Sequence, residues 1–302
     1  MRWKNGVALL FVLTASAAAA SIGPAQAGWF GEAKALPQSV DDQVIGQIQQ
    51  ALDDQRYVDA GTLLDQALMS GKEDARLVLL GGELNLARGR YDAALGSFKR
   101  IEAQPKLRAR ALEGEGIAMS LLGRIDDALP VLESAVSANP DAWRAWNILG
   151  IIYDRGHDWP RADAAYEHAM KSSGASALVL NNRGFSRLSQ HRLDDAAADF
   201  VAALQKKPDF VSARNNLRLA IAMKGEYVRA TEGASATDRA SVLNNAGFAA
   251  MARGDYSAAE NLLGQAIQAK GEYYSVAAAN LERVRGLQSG GSNGAIPDAG
   301  TH

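Results

Sequence analysis

The sequence contains no cysteine, and this absence excludes several classes of chemistry. Disulfides, thiolate nucleophiles, iron–sulfur clusters and zinc sites built on thiolates all require that residue. We likewise expect no lipid anchor attached through an N-terminal cysteine. Aromatic residues are also scarce, at 7% of the chain, although apolar residues as a whole reach 47%. Many small apolar side chains suit close helix–helix contacts better than the core of a large sheet.

Excess positive charge is also absent. The formal net charge of the 302 residues is −2, and no run of lysine or arginine occurs. A field of that sign repels phosphate backbones, so the composition predicts no nucleic-acid partner. Without a basic cluster, the sequence also predicts no polybasic membrane patch.

Long apolar runs are missing except at the N-terminus, which has the features of a secretion signal. Arg2 and Lys4 precede an uncharged stretch over residues 7–20, and Ala25-Gln26-Ala27 fits a cleavage site. Residues 1–27 are therefore predicted to be a cleaved signal peptide that directs the protein to the periplasm. The alternative is an uncleaved membrane anchor, but the strongly apolar part of the stretch is short for a bilayer span.

A 34-residue period dominates the rest of the chain. The phrase that begins at Trp146 reads W-N-I-L-G-I-I-Y, and Ala162, Tyr166 and Ala169 follow it. Two columns recur in seven copies, an alanine and, three residues earlier, a bulky apolar residue. The alanines are Ala60, Ala94, Ala128, Ala162, Ala196, Ala230 and Ala259. The bulky residues are Tyr57, Tyr91, Ile125, Trp159, Leu193, Tyr227 and Tyr256.

This pattern resembles the tetratricopeptide repeat, in which each copy is a pair of antiparallel helices, A and B. The resemblance implies an all-α fold, a right-handed superhelical solenoid of about seven helix-turn-helix repeats with a C-terminal cap helix. Repeats are expected at about 41–74, 75–108, 109–142, 143–176, 177–210, 211–239 and 240–273. The predicted organisation is a signal peptide (1–27), a lead-in segment (28–40), the solenoid (41–288) and a disordered tail (289–302).

The sixth copy departs from the period, since the register shortens by five residues after Ala230. The sequence T-E-G-A-S-A-T stands there in place of a full second helix. We expect a kink or a loosened joint at this repeat.

No catalytic constellation is visible in the sequence. The four histidines are His157, His168, His191 and His302, and none has a metal-ligand spacing such as H-x-x-x-H. His157 and His191 occupy the turn between helices A and B in adjacent repeats. The sequence therefore predicts no enzyme activity, no cofactor and no metal site.

Asparagines at equivalent positions of the A helices are the candidate binding residues. Asparagine is a mediocre helix former, and its amide offers both a donor and an acceptor to a peptide backbone. These amides either track an extended partner chain on the concave face or bond the backbones of neighbouring helices and fix the superhelical pitch. Three residues beyond the second asparagine position lies an apolar strip. The candidate partner-binding set is Asn147, Ile151, Asn181, Asn182, Phe185, Asn215, Asn216, Leu219, Asn244, Asn245 and Phe248.

Four arginines lie on the same helices: Arg183, Arg187, Arg214 and Arg218. They either steer acidic segments of a partner or pair with acidic residues of the B helices, and the sequence does not separate the two.

The C-terminal third carries a more specific resemblance. The run from Ser241, S-V-L-N-N-A-G-F-A-A-M-A-R-G-D-Y, followed by Tyr273-Tyr274, resembles the closing repeat of TadD-type proteins of the Flp/Tad pilus machinery. The resemblance rests mainly on residues 177–286. It implies a periplasmic scaffold that binds protein partners, such as secretin or other Tad components, during pilus assembly. Since a lipid anchor is not expected, any tethering must come from a protein. The alternative is a general periplasmic adaptor for cell-envelope enzymes or cytochrome maturation.

Overall fold

The computed structural model describes residues 40–71, 74–270 and 274–289 as helices joined by turns, with no strand among them. The described residues form two compact units, an N-terminal unit up to residue 174 and a C-terminal unit from residue 175. The predicted all-α fold of helix pairs is thus confirmed. The predicted signal peptide and tail lie outside the described residues, except for Ser289.

The N-terminal unit contains eight described helices in four pairs. They are α1 (Asp42–Asp53), α2 (Tyr57–Met69), α3 (Ala75–Ala87), α4 (Tyr91–Ile101), α5 (Arg108–Leu121), α6 (Ile125–Ala138), α7 (Trp143–Arg155) and α8 (Trp159–Ser172). Side-chain caps begin several of them. The Asp74 carboxylate accepts a hydrogen bond from the Arg76 N–H at 2.9 Å, and Asp158 accepts one from Arg161 N–H at 3.2 Å. Odd-numbered helices are the A helices of the repeats, and even-numbered helices are the B helices.

The C-terminal unit contains the three remaining pairs and the predicted cap helix. Its helices are α9 (Ala177–Ser189), α10 (Leu193–Lys206), α11 (Val211–Met223), α12 (Tyr227–Thr231), α13 (Arg239–Ala252), α14 (Tyr256–Lys270) and α15 (Ser275–Gln288). The B helix of the sixth repeat, α12, has five residues where α10 has 14 and α14 has 15. The shortened register therefore removes most of one helix, as the sequence predicts.

A left-handed residue closes each turn between an A helix and its B helix. Gly89 and Gly123 have φ of 73° and 77°, where glycine pays no steric cost. His157 and His191 adopt the same conformation, with φ of 57° and 60°. The turn therefore requires a left-handed backbone conformation at this position of the repeat, whether the residue is glycine or histidine.

Small residues bring the two helices of a pair together. The seven column alanines are all at most 1% exposed. A Cβ added at Gly150 would lie 2.8 Å from the Tyr166 ring, and one added at Gly184 would lie 2.7 Å from the Phe200 ring. The aromatic ring of helix B thus occupies the space that a side chain on helix A would need.

Candidate partner-binding surfaces

The asparagines of the C-terminal unit form two short chains of amides between A helices. Asn216 donates to the Asn181 oxygen at 3.0 Å, and Asn181 donates to Asn182 at 3.3 Å, which links α11 to α9. Asn280 on α15 donates to Asn244 at 3.1 Å, and Asn244 donates to Asn245 at 3.4 Å. These amides bond one another across neighbouring helices, whereas the sequence alternative has them bond helix backbones.

Asn215 and Asn245 differ from their neighbours because both are exposed. They line one pocket, together with Leu219 and residues of α12 and α13. The lining residues are Asn215, Arg218, Leu219, Ala230, Val242, Asn245 and Ala246. Three members of the predicted set, on α11 and α13, therefore converge on a single pocket.

Arg218 lies in this pocket because the sixth repeat is incomplete. It occupies the column of Gly150 and Gly184, where an intact B helix would leave no room for a side chain. Since α12 ends at Thr231, the guanidinium instead donates to the carbonyl of Glu232 at 3.2 Å. Among the described residues, Arg218 has no carboxylate within ion-pair distance. The pocket therefore combines two exposed amides, one cation and an apolar wall.

The arginines on α9 have a different role. Arg183 donates to both oxygens of Asp199 on α10, at 2.7 and 3.0 Å, and Arg187 donates to the same carboxylate at 2.7 Å. Asp199 is only 4% exposed. Arg183 and Arg187 thus hold helix A to helix B, as the second alternative for them supposes.

The remaining predicted residues are more deeply placed. Asn147 and Ile151 on α7 are 3% and 5% exposed, so they present little surface to a partner. Asn181, Asn182 and Asn244 are also buried. A further group is partly buried, and its members are Phe185, Asn216, Leu219 and Phe248.

In the N-terminal unit, an ionic ladder joins the A helices, and sequence reasoning missed it. Arg110 on α5 donates to Gln49 on α1 at 2.7 Å and to Glu83 on α3 at 2.6 Å. Arg144 on α7 donates to Glu113 on α5 at 2.9 Å and lies 3.8 Å from Glu83. Arg110 and Arg144 lie one 34-residue repeat apart, and this spacing in the sequence could have indicated the ladder.

Neighbouring carboxylates stabilise the charged form of Arg144 in this ladder. Burial alone would lower the pKa of the Arg144 guanidinium, but the carboxylates of Glu113, Glu83 and Asp53 outweigh it, and its pKa is raised. The Glu83 and Glu113 side chains are 10% and 7% exposed, whereas the two guanidiniums are more than 40% exposed. The ladder thus presents a row of guanidiniums over buried carboxylates.

No group of three histidine or acidic side chains among the described residues could hold a metal ion. His168 stacks on Trp146, with ring centroids 4.4 Å apart. Among residues 40–71, 74–270 and 274–289, no helix has the length and apolar character needed to cross a membrane.

Helix pairs with polar A-helix surfaces and exposed amides define a helical-repeat scaffold for protein interaction. A family model described as tetratricopeptide repeat matches residues 46–108 and 122–177. The chain thus contains tetratricopeptide repeats, and repeats of this kind bind protein or peptide partners.

Solved structures give the same fold. A thermophilic tetratricopeptide-repeat protein of Thermus thermophilus is 22% identical, with a TM-score of 0.51, over 60% of this chain and 98% of that one. The Cut9–Hcn1 assembly of the APC/C is 14% identical, with a TM-score of 0.61, over 80% of this chain and 49% of that one.

Curated relatives match only in part. Protein FlbA of Caulobacter vibrioides is 29% identical over 121 residues, which are 38% of this chain and 20% of that protein. Human tetratricopeptide repeat protein 13 is 26% identical over 126 residues, 42% of this chain and 14% of that protein. The chain therefore spans a fifth or less of the length of these relatives.

Proposed function

We propose that the protein is a periplasmic scaffold that holds segments of partner proteins during assembly of a Flp/Tad-type pilus, including its secretin. The observation that carries the proposal is the pocket formed by Asn215, Arg218, Leu219 and Asn245. Exposed amides match the donors and acceptors of a peptide backbone, and Leu219 offers an apolar contact beside them. The exposed amides of Asn215 and Asn245 therefore suit surface contacts with a peptide segment of a partner.

Two sequence features support the cellular part of the proposal. The basic, apolar and A-x-A sections of residues 1–27 favour export to the periplasm. The TadD resemblance rests on residues 177–286, a range that includes all the residues lining the pocket. The candidate pilus-specific region and the candidate binding pocket thus belong to the same unit.

The test is complementation of a deletion strain with secretin multimers as the readout. We expect the deletion to deplete multimers and the wild-type gene to restore them. The double substitution Asn215→Ala and Asn245→Ala should fail to restore them, although its protein accumulates normally in the periplasmic fraction. Gln268→Ala, which removes an exposed amide from α14, is the matched control and should restore them fully.

Normal secretin multimers and normal pili in the deletion strain would contradict the pilus role. Recovery of the protein from the cytoplasmic fraction alone would contradict the periplasmic location. Full complementation by the double variant would contradict the assignment of the pocket.

A further inference from the structure

A second open groove lies in the C-terminal unit between α10, α11 and α12. It shares no lining residue with the pocket around Asn215. Its volume is about 330 Å³, which is within the range of small ligand sites. Its walls are mostly apolar, and charged side chains stand at the rim. The lining residues are Asp194, Ala197, Ala198, Val201, Leu217, Ile221, Lys224 and Arg229.

In the fourth repeat, in the N-terminal unit, the equivalent position is occupied by an aromatic side chain of the protein itself. The ring of Tyr153 on α7 lies beneath the guanidinium of Arg161, whose central carbon is 4.6 Å from the ring centroid. The Tyr153 hydroxyl donates to Glu133 on α6 at 3.0 Å. The Asp158 carboxylate forms an ion pair with the Arg161 guanidinium. An aromatic ring is thus held between a cation and neighbouring helices.

The sixth repeat has the same arrangement without the ring. Positions 68 residues further along the chain, two repeats away, correspond one to one. Ile221 occupies the position of Tyr153, and Val201 occupies that of Glu133. The cation and its carboxylate are retained, as Arg229 at the position of Arg161 and Glu226 at that of Asp158. The apolar residue is retained as well, as Leu217 at the position of Leu149. Arg229 is still bound by its carboxylate, Glu226, at 2.7 Å. The groove therefore keeps the cation and the apolar floor, whereas the aromatic side chain is replaced by a smaller one.

We propose that this groove binds a phenylalanine side chain presented by a segment of a partner protein. The ring would lie on Val201, Leu217 and Ile221 beneath Arg229, as Tyr153 lies beneath Arg161. A cation over an aromatic face supplies the electrostatic complementarity. Phenylalanine is favoured over tyrosine because Val201 replaces the carboxylate that accepts the hydroxyl in the fourth repeat.

Charge at the rim agrees with an uncharged occupant. Lys224 is bound by Asp194 at 2.7 Å and lies 3.4 Å from Glu226, and Arg229 is bound by Glu226. The two cations and two carboxylates therefore balance one another. A charged side chain in the groove would break these pairs, whereas an aromatic ring leaves them in place.

The experiment is a titration of the full chain with N-acetyl-phenylalanine amide. Binding is monitored by the NMR chemical shifts of backbone amides and arginine side chains. We expect saturable shifts confined to residues 197–201 and 217–229. N-acetyl-leucine amide, which lacks the ring, should bind roughly fivefold more weakly. N-acetyl-tyrosine amide should also bind roughly fivefold more weakly, since its hydroxyl gains no partner.

Matched variants test the geometry. Ile221→Tyr restores the residue of the fourth repeat and should abolish the shifts, whereas Ile221→Leu should retain them. Ala198→Phe fills the groove from an exposed position on α10, so it gives a second block that does not depend on the helix interior. Arg229→Gln should reduce affinity for the phenylalanine amide to that of the leucine amide, and Arg161→Gln in the fourth repeat should not change it.

Shifts that are absent, spread over the surface or unchanged in both filled variants would overturn the proposal. Equal binding of the leucine and phenylalanine amides would overturn the role of Arg229. Groove shifts that depend on protein concentration without any amide, and that vanish in Ile221→Tyr, would make a second copy of the chain the occupant and would also overturn it. Each outcome is independent of pilus assembly, so a failed complementation test does not decide this one.

Discussion

The A helices of the two units are joined by different chemistry. In the N-terminal unit, Arg110 and Arg144 bridge carboxylates on neighbouring helices. In the C-terminal unit, uncharged amides of Asn181 and Asn216 perform the equivalent task. We call the first set of contacts the ionic surface and the second set, between Asn181 and Asn216, the neutral surface. Since salt screens charges and not amide hydrogen bonds, the two surfaces should respond differently to ionic strength.

Open space is also distributed unevenly. The described B helices of the N-terminal unit have between 11 and 14 residues, whereas α12 of the C-terminal unit has five. The pocket around Arg218 borders this short helix, and so does the groove beside Arg229. The shortened helix leaves open the space around Arg218, and the smaller side chain of Ile221 at the position of Tyr153 leaves open the groove beside Arg229.

The largest expected effect on stability comes from overpacking the contact between helices A and B, which both units share. Gly150→Val and Gly184→Val drive a side chain into the rings of Tyr166 and Phe200, and each should cost about 3 kcal/mol of unfolding free energy. The measurement is urea unfolding followed by circular dichroism. Gly96→Val and Gly264→Val, where an added Cβ meets nothing within 4 Å, are the controls and should change stability by less than about 0.5 kcal/mol.

Similar losses at Gly150 and Gly184 would show that the two units share one packing rule. A large loss in one unit and none in the other would contradict it.

The second prediction concerns the ionic surface. Arg144→Gln removes the cation paired with the buried carboxylate of Glu113, which keeps only the N–H of Ala145, and should cost about 2 kcal/mol. Partial exposure of the guanidinium lets salt weaken the pair, so the difference from wild type should shrink in 1 M NaCl. Arg108→Gln changes an exposed arginine on α5, the helix that carries Glu113, and is the control. A loss as large in Arg108→Gln would show that the ladder has no special role.

The third prediction concerns the neutral surface. Asn181→Ala removes the amide that accepts from Asn216 and donates to Asn182, so it should cost about 1 kcal/mol. The loss should be the same in low and high salt, in contrast to Arg144→Gln. Gln268→Ala, an exposed amide on α14, should have almost no effect. A salt-dependent loss at Asn181 would remove the distinction between the two surfaces.

The sequence predicts the helix pairs well because one packing requirement is repeated in every copy. Close contact with a partner helix requires a small residue, so alanine or glycine recurs at fixed positions of the repeat, such as Ala162 and Gly184. This recurrence does not depend on the surface residues. The repeat pattern runs without a break past residue 174, and for that reason it does not reveal the division into two units.

Surface roles are less predictable because they depend on side-chain direction. Asn215 and Asn216 are adjacent, yet the first is exposed and the second bonds Asn181. The ionic ladder depends on Glu83 and Arg110, which are 27 residues apart and meet only once the helices are placed. Likewise, the groove beside Arg229 becomes apparent only when Ile221 is compared with Tyr153 in the folded repeats.

The last expected effect is no larger than that at Asn181 and has the opposite sign; it concerns a buried carboxylate of the N-terminal unit with one unsatisfied oxygen. Glu115 on α5 is 5% exposed, its Oε2 has no hydrogen-bond partner, and Lys99 lies 3.9 Å from its Oε1. Burial raises the pKa of Glu115, and repulsion from Glu102 adds to this despite the opposing charges of Lys99 and Arg124. The charge on Glu115 is therefore unfavourable in the folded N-terminal unit.

Because the pKa of Glu115 is higher in the folded state, folding is helped where Glu115 carries a proton in both states, at low pH. That contribution is lost as the pH rises from the ordinary value of 4.5 through the raised one. Glu115→Gln cannot ionise, so it should be more stable than wild type by about 1 kcal/mol at pH 7. The difference should disappear below the ordinary value, in unfolding curves measured across this range. An exposed control on α8, Glu167→Gln, should show no such trend. A variant less stable than wild type at pH 7 would show instead that the Lys99 charge fully compensates the buried carboxylate, and that every charge in this unit is paired.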